Sequence, residues 1–234
     1  MVRLLSIQLC LNFSIILLGA VGAVSVPDCQ GPAPNQTTLN NVRTAQIGTG
    51  NAIHPFGLTY ATHGNIAFVA LNDTLGVLST RAFTPSKALV SQVFPAGCGD
   101  VRVAVHPDGK TVWVTARESN HLLAFDAAKL PSKPDEALLA SVQVGNLPVG
   151  LIFARGGTRI VTADSNRYNT PGAISGLSAV DVQAALHGSN NSVLGRINTG
   201  KFPRELAISP NGRTILVSDY SSLQIQAVDV STLP

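Results

Sequence analysis

Carboxylates recur at one place in this sequence. Glu118, Asp164 and Asp219 each stand just past an apolar run, namely Trp113-Val-Thr115, Ile160-Val-Thr162 and Leu216-Val-Ser218. Acids brought together in this way are what a divalent-metal site or a general acid/base pair requires. Asp and Asn at such places also cap tight turns by bonding the local backbone, so both roles stand open. Glu205, Asp164 and Asp219 are the candidate bases or metal ligands, with Arg204 the group that would steady an anionic intermediate. His54, Glu118, Asn166, Arg167 and Tyr220 are candidate ligand contacts. Arg204 beside Glu205 also reads as an internal ion pair bracing adjacent units. The stretch Asp164-Ser-Asn-Arg-Tyr-Asn-Thr-Pro-Gly172 is the longest and most polar of the connecting segments, the kind that carries function on a rigid scaffold.

Other chemistries lack their residues. The sequence has no Gly-x-Ser-x-Gly elbow, no His-Glu-x-x-His, no Cys-x-x-Cys and no phosphate-binding glycine loop. His63, His106, His121 and His187 show no metal-ligand spacing, so no metal or cofactor is expected. The net charge of +3 is small and the basic residues are dispersed, which excludes nucleic acid as a partner. The partner expected is a small molecule, a carbohydrate or a protein.

The elements that must position these residues repeat. Pro55 to Ala70, Val101 to Thr115, Pro148 to Thr162 and Pro203 to Ser218 share one grammar: an apolar strand, a tight polar turn, and a second apolar strand. The turn glycines Gly64, Gly109, Gly157 and Gly212 are 45, 48 and 55 residues apart. Pro107-Asp-Gly109 and Pro210-Asn-Gly212 mark the hairpins. Third strands end in an acid at Asp126, Asp181 and Asp229, and outer strands are expected at Ala45–Ile47, Val90–Val93, Ser141–Val144 and Val193–Ile197. The last unit then reads as four strands beginning at Val193. Val182-Gln-Ala-Ala-Leu186 reads as a short helical turn. Units of this length with four short strands predict an all-β fold, a β-propeller of about four blades, closed as a small ring or incomplete. In a closed ring, Ala45-Gln-Ile47 would complete the last blade. Starts of inner strands and ends of second strands share one rim in such a fold, which gathers the candidate residues there. Trp113, Phe68 and Phe153 are expected in the core.

Trp113-Val-Thr-Ala116, Ile160-Val-Thr-Ala163 and Leu216-Val-Ser-Asp219 resemble the Tyr-Val-Thr-Asn motif of YVTN-type (surface-layer and YncE-like) propeller repeats. Phe202-Pro-Arg-Glu-Leu-Ala-Ile-Ser-Pro-Asn-Gly-Arg213 is similar to the blade signature of lactonase-type seven-bladed propellers, with Glu205 where those relatives commonly carry histidine. The resemblance spans nearly all of residues 43–233. It implies a propeller, and as function either binding of a ligand or partner at the loop-rich rim or lactonase-like hydrolysis or isomerisation of a small polar or carbohydrate-derived substrate.

Arg3 ahead of an apolar run ending Ala20-Val-Gly-Ala23 reads as a secretory signal peptide over residues 1–23, the alternative being an uncleaved anchor. Residues 24–42 form a Pro/Gly/Asn/Thr-rich tail, and 43–234 the repeat domain. Cleavage removes Arg3 and leaves a net charge of +2, which excludes membrane attraction of the mature, extracellular chain. Asn35, Asn72 and Asn190 head glycosylation sequons. Cleavage also removes Cys10, leaving Cys29 and Cys98 either as one disulfide or as two free thiols. The disulfide is the prediction: mass spectrometry of the non-reduced secreted protein should show the Cys29–Cys98 linked peptide, and two alkylatable thiols would refute it.

Overall fold

The computed structural model describes residues 39, 42–46, 54–81, 89–93 and 99–234. Cys29, Cys98, Asn35, Ile47 and the expected signal peptide lie outside them. Four antiparallel sheets follow one another along the chain. Blade 1 holds β1 (Leu58–Tyr60), β2 (Ile66–Ala70), β3 (Leu75–Ser79) and β4 (Leu89–Val93). Blade 2 holds β5 (Asp100–Val105), β6 (Thr111–Ala116), β7 (His121–Asp126) and β8 (Leu138–Gln143). Blade 3 holds β9 (Pro148–Ala154), β10 (Arg159–Asp164), β11 (Gly176–Asp181) and β12 (Val193–Asn198). Blade 4 holds β13 (Pro203–Ile208), β14 (Thr214–Asp219) and β15 (Gln224–Asp229).

The local chemistry explains the hairpins. Gly64, Gly109, Gly157 and Gly212 all adopt positive φ, the backbone region that only glycine enters without steric cost. The acids ending the third strands are turn caps. Asp126 Oδ1 accepts from the Ala128 and Lys129 N–H groups, Asp229 Oδ1 from Ser231 N–H, and Asp181 Oδ1 from Ala184 N–H. The last of these caps the helical turn α1 (Val182–Leu186). The strand at Val193 differs from the expected grouping: it hydrogen-bonds β11 and so completes blade 3, because α1 makes a short connection that returns it beside its predecessor.

The second strands of blades 2 and 3 each sit between two neighbouring sheets. Val112 and Val114 face blade 1 and pack with Phe68, Leu75 and Val77, while Trp113 faces blade 3 and packs with Ile160, Leu151 and Val180. Val161, Ala163 and Leu177 in turn pack on Ile215, Val217 and Val228 of blade 4. Trp113 is wholly buried, and its Nε1–H is satisfied by Thr111 Oγ1 at 2.9 Å. Phe68 is wholly buried too, whereas Phe153 is half-buried, its ring meeting His106 edge to face at 5.0 Å.

The blades do not close into a ring. The inner strands β1, β5, β9 and β13 pack each on the next, but no comparable packing joins β13 to β1. Ala45 and Gln46 are exposed and belong to no strand, and among the described residues blade 4 has only three strands. The expected N-terminal completion of that blade is therefore absent from the described residues.

Inner strands meet closely where glycine stands at their starts. A Cβ on Gly150 would lie 2.5 Å from the Arg204 carbonyl oxygen of blade 4, and one on Gly57 would lie 2.7 Å from the Val101 carbonyl oxygen of blade 2. In blade 1 the approach is sealed by a Gly57 N–H to Val101 carbonyl hydrogen bond of 2.7 Å. The opposing atoms are backbone and cannot rotate away. Gly150→Ala should therefore destabilise the fold by ~1–3 kcal/mol, read as a lowered midpoint in thermal or urea unfolding; an unchanged midpoint would show that the inner strands have slack.

Candidate functional site

The starts of the inner strands and the ends of the second strands frame one cleft of about 440 Å³. Phe56 and Gly57 come from the start of blade 1, Val101 and Arg102 from blade 2, Val149 from blade 3, and Phe202, Arg204 and Glu205 from blade 4. Arg117, Arg167 and Tyr220 arrive from the loops after β6, β10 and β14. The volume suits a small molecule.

The same backbone irregularity builds this rim in three blades. β5, β9 and β13 each slip register at their starts, between Asp100 and Arg102, opposite Ala163/Asp164, and between Pro203 and Leu206. Such bulges re-aim side chains. Pairing makes Gly57, Arg102, Gly150 and Glu205 counterparts. Gly150 lies opposite Ala163, Arg102 N–H donates to Thr115 Oγ1 at 3.1 Å, and Glu205 N–H donates to Ser218 Oγ at 3.1 Å. The two counterparts with charged side chains, Arg102 and Glu205, form an ion pair reaching from blade 2 to blade 4. Both are partly solvated, so the pair contributes at most ~1 kcal/mol and leaves the guanidinium open to exchange partners.

Four arginines line the cleft. Arg102 is matched by Glu205, and Arg117 by Glu118 at 2.7 Å. Arg167 stacks near Tyr168 and Phe202, its guanidinium carbon 5.4 and 5.8 Å from the ring centres. Arg204 is exposed, and among the described residues no carboxylate pairs with it. Phe202 and Tyr220 meet edge to face at 5.5 Å and form an aromatic wall beside these cations. The surface can hold an anion against a planar or apolar body.

Two of the acids singled out from sequence, Asp164 and Asp219, lie elsewhere. Asp164 is buried in the sheet, where Oδ1 accepts from Thr162 Oγ1 at 2.8 Å and Oδ2 from Ser178 Oγ at 2.6 Å. Burial raises its carboxyl to about 6, against the lowering effect of those two hydroxyls. Asp219 is likewise buried, and its Oδ2 accepts from Gly200 N–H and Gln224 Nε2. Each acid braces the segment that leads into its own blade and does not face the cleft. Asn166 is buried and internal to its loop, donating to the Ala173 carbonyl and accepting from Thr170 N–H. His54 is exposed and does not line the cleft, and Glu118 reaches it only through Arg117. Arg204, Glu205, Arg167 and Tyr220 are brought together. Arg102, Phe56 and Phe202 join them; Phe56 and Phe202 adjoin the repeated proline, and Arg102 stands at the repeat place of Gly57 and Gly150, which is what points to them in the sequence. Asn190 is exposed, while Asn72 is half-buried at positive φ and paired to Asp100. Among the described residues no group of three or more His, Cys, Asp or Glu side chains is placed to hold a metal ion.

Asp100 stands in the register place of Pro148 and Pro203, opposite the end of the second strand. A proline there could not donate, whereas the Asp100 N–H bonds the Asn72 carbonyl and ties blade 2 to blade 1. The side chain is buried, and among the described residues neither carboxyl oxygen has a hydrogen-bond partner. Burial, and then the neighbouring Asp73, push its carboxyl up to about 8.

No family model matches this chain, and no curated protein matches it. Solved structures do. Hydrazine synthase of Kuenenia stuttgartiensis superposes with a TM-score of 0.63 at 16% identity, over 84% of this chain and 50% of its own. A putative 6-phosphogluconolactonase from Bacteroides uniformis gives 0.61 at 16%, over 81% and 55%. The β-propeller domain of a Myceliophteria thermophila protein gives 0.58 at 12%, over 76% and 55%. The chain thus spans about half the length of each. The fold is a nearly all-β, propeller-like series of antiparallel blades of three or four strands, with its sheets not closed into a ring.

The raised carboxyl of Asp100 makes a pH-dependent prediction. Its unfolded value is 3.8 and its folded value about 8, so the folded state retains a proton that the unfolded chain releases between these limits. Stability is then lost as pH rises through that window. Asp100→Asn should leave the unfolding midpoint unchanged below pH 4 and raise stability by more than ~1 kcal/mol near pH 8; a gain independent of pH would refute the account.

Proposed function

We propose that this chain is a binding module of secreted YVTN-type propeller lineage that takes a small anionic molecule in the rim cleft. The observation that carries the reading is the set of four arginines from three blades and their loops, of which Arg167 and Arg204 are left without carboxylate partners among the described residues. A carboxylate or phosphate would bond these guanidiniums, while its carbon frame rests on Phe202 and Tyr220. Displacement of Glu205 from Arg102 would free a further cation. The second strands that carry Trp113-Val-Thr115 and Leu216-Val-Ser218 in one register support the lineage, and the apolar leader supports secretion.

A lactonase-like activity is the second reading. It is favoured by the likeness to putative 6-phosphogluconolactonases and by Glu205, the one sequence-singled acid at the cleft. Glu205 would act as base, with Arg204 beside the developing oxyanion.

Calorimetric titration with 6-phosphogluconate and with inorganic phosphate tests the first reading. Binding is expected to weaken about tenfold or more in Arg204→Ala and to fall with added salt; equal affinity in the variant would refute the cleft as the site. Hydrolysis of a sugar lactone, absent in Glu205→Gln, would establish the second reading instead.

A further inference from the structure

The loop after β10 serves two hollows of the rim. Arg167 lines the arginine cleft, whereas Asn166, Asn169 and Thr170 line a second hollow of about 390 Å³. Two other segments divide in the same way. Phe202 belongs to the cleft and Lys201 to the second hollow, and Tyr220 belongs to the cleft and Ser222 to the second hollow. Residues one or two places apart on three segments thus stand on either side of one ridge. The ridge is held by ring contacts, with the Arg167 guanidinium carbon 5.8 Å from the centre of the Phe202 ring and that ring 5.5 Å from Tyr220. Consecutive Cα atoms are only about 3.8 Å apart, so the second hollow begins where the cleft ends.

The walls of this hollow are fixed by their own hydrogen bonds. Asn166 Oδ1 accepts from the Thr170 N–H at 2.9 Å, Asn166 Nδ2 donates to the Ala173 carbonyl at 3.0 Å, and the Ala173 N–H donates to the Thr170 carbonyl. On the facing segments the Lys201 N–H donates to Ser222 Oγ at 2.6 Å, the Ser221 N–H to the Lys201 carbonyl, and the Gly200 N–H to Asp219 Oδ2. These main-chain groups are committed to the protein itself. Three side chains are not. Among the described residues the Asn169 amide, the Thr170 hydroxyl and the Lys201 ammonium have no hydrogen-bond or ion-pair partner, and all three residues are exposed. No carboxylate lines the hollow.

We propose that the ligand is an acidic oligosaccharide, a sugar acid extended by neutral sugar units, and this rests on the reading that the cleft takes an anion. Its carboxylate lies among the arginines, and its neutral units cross the ridge into the second hollow. Amide and hydroxyl side chains there both donate and accept, which matches the hydroxyls of a sugar. The ridge adds ring faces for the apolar side of a sugar ring, since Tyr168 and Tyr220 are 60% and 63% exposed. An extended peptide fits less well, because its main chain needs free backbone groups to pair with and those around the hollow are spent. Preformed walls also lower the ordering cost of binding.

Calorimetric titration with gluconate, maltobionate, maltotrionate and maltotriose separates the two parts. Maltotrionate should bind at least ~10-fold more tightly than gluconate, the gain of one or two net side-chain hydrogen bonds, with maltobionate between them. Maltotriose, which lacks the carboxylate, should bind more weakly than either. Asn169 has φ 50°, a backbone that glycine adopts without strain. Asn169→Gly combined with Thr170→Ala should therefore keep the fold, abolish the gain from the added sugars and leave gluconate binding as in the parent, whereas Arg204→Ala should weaken both acids. Equal affinity for gluconate and maltotrionate would overturn the proposal; 6-phosphogluconate binding that depends on Arg204 would then leave the anion reading standing. Silence of every anion removes both. Tetraglutamate binding more tightly than maltotrionate would also overturn the proposal, by identifying an acidic peptide as the occupant.

Discussion

A blade of this protein has two apolar faces and only one sheet between them. The second strands in blades 2 and 3 are buried almost end to end, their side chains going alternately to the preceding and the following blade. No blade can bury both faces alone, so each is stable only between neighbours. The close approach of inner strands at Gly57 and Gly150 and the sealing of Trp113 follow from that requirement.

The rim has a division of labour that depends on it. Acids at strand ends serve the scaffold: Asp126, Asp181 and Asp229 cap turns, while Asp164 and Asp219 hold the segments leading into blades 3 and 4. Cations line the cleft. This partition has an electrostatic reason, since a carboxylate that accepts from backbone N–H groups and hydroxyls is satisfied in the sheet, whereas a long guanidinium on a rim strand extends into the open space between blades.

The sequence made the blade grammar legible because turn chemistry and period-two alternation are local. The turn glycines, the proline starts and the short α1 are written within a few residues of where they act. The shared rim was legible too, as a consequence of topology, and it gathers Arg167, Arg204, Glu205 and Tyr220. The roles of the acids were not. Whether Asp164 faces a cleft or a buried Ser178 depends on the pairing of β10 with β11, and nothing near Asp164 in the chain encodes that contact. Arg102 was missed for a related reason: its partner Glu205 is 103 residues away.

The rim position shared by Gly57, Arg102, Gly150 and Glu205 has a consequence for symmetry. Hydrogen, charge, hydrogen, charge is the order of side chains met there from blade to blade. The small members admit a neighbour's backbone, and the charged ones turn inward and attract each other with opposite signs. The true period of the rim is therefore a pair of blades, near a hundred residues, laid over the single-blade period of the core. A circular arrangement preserving that alternation admits only even blade numbers, because an odd count would set two backbone-admitting positions, or two charged ones, side by side.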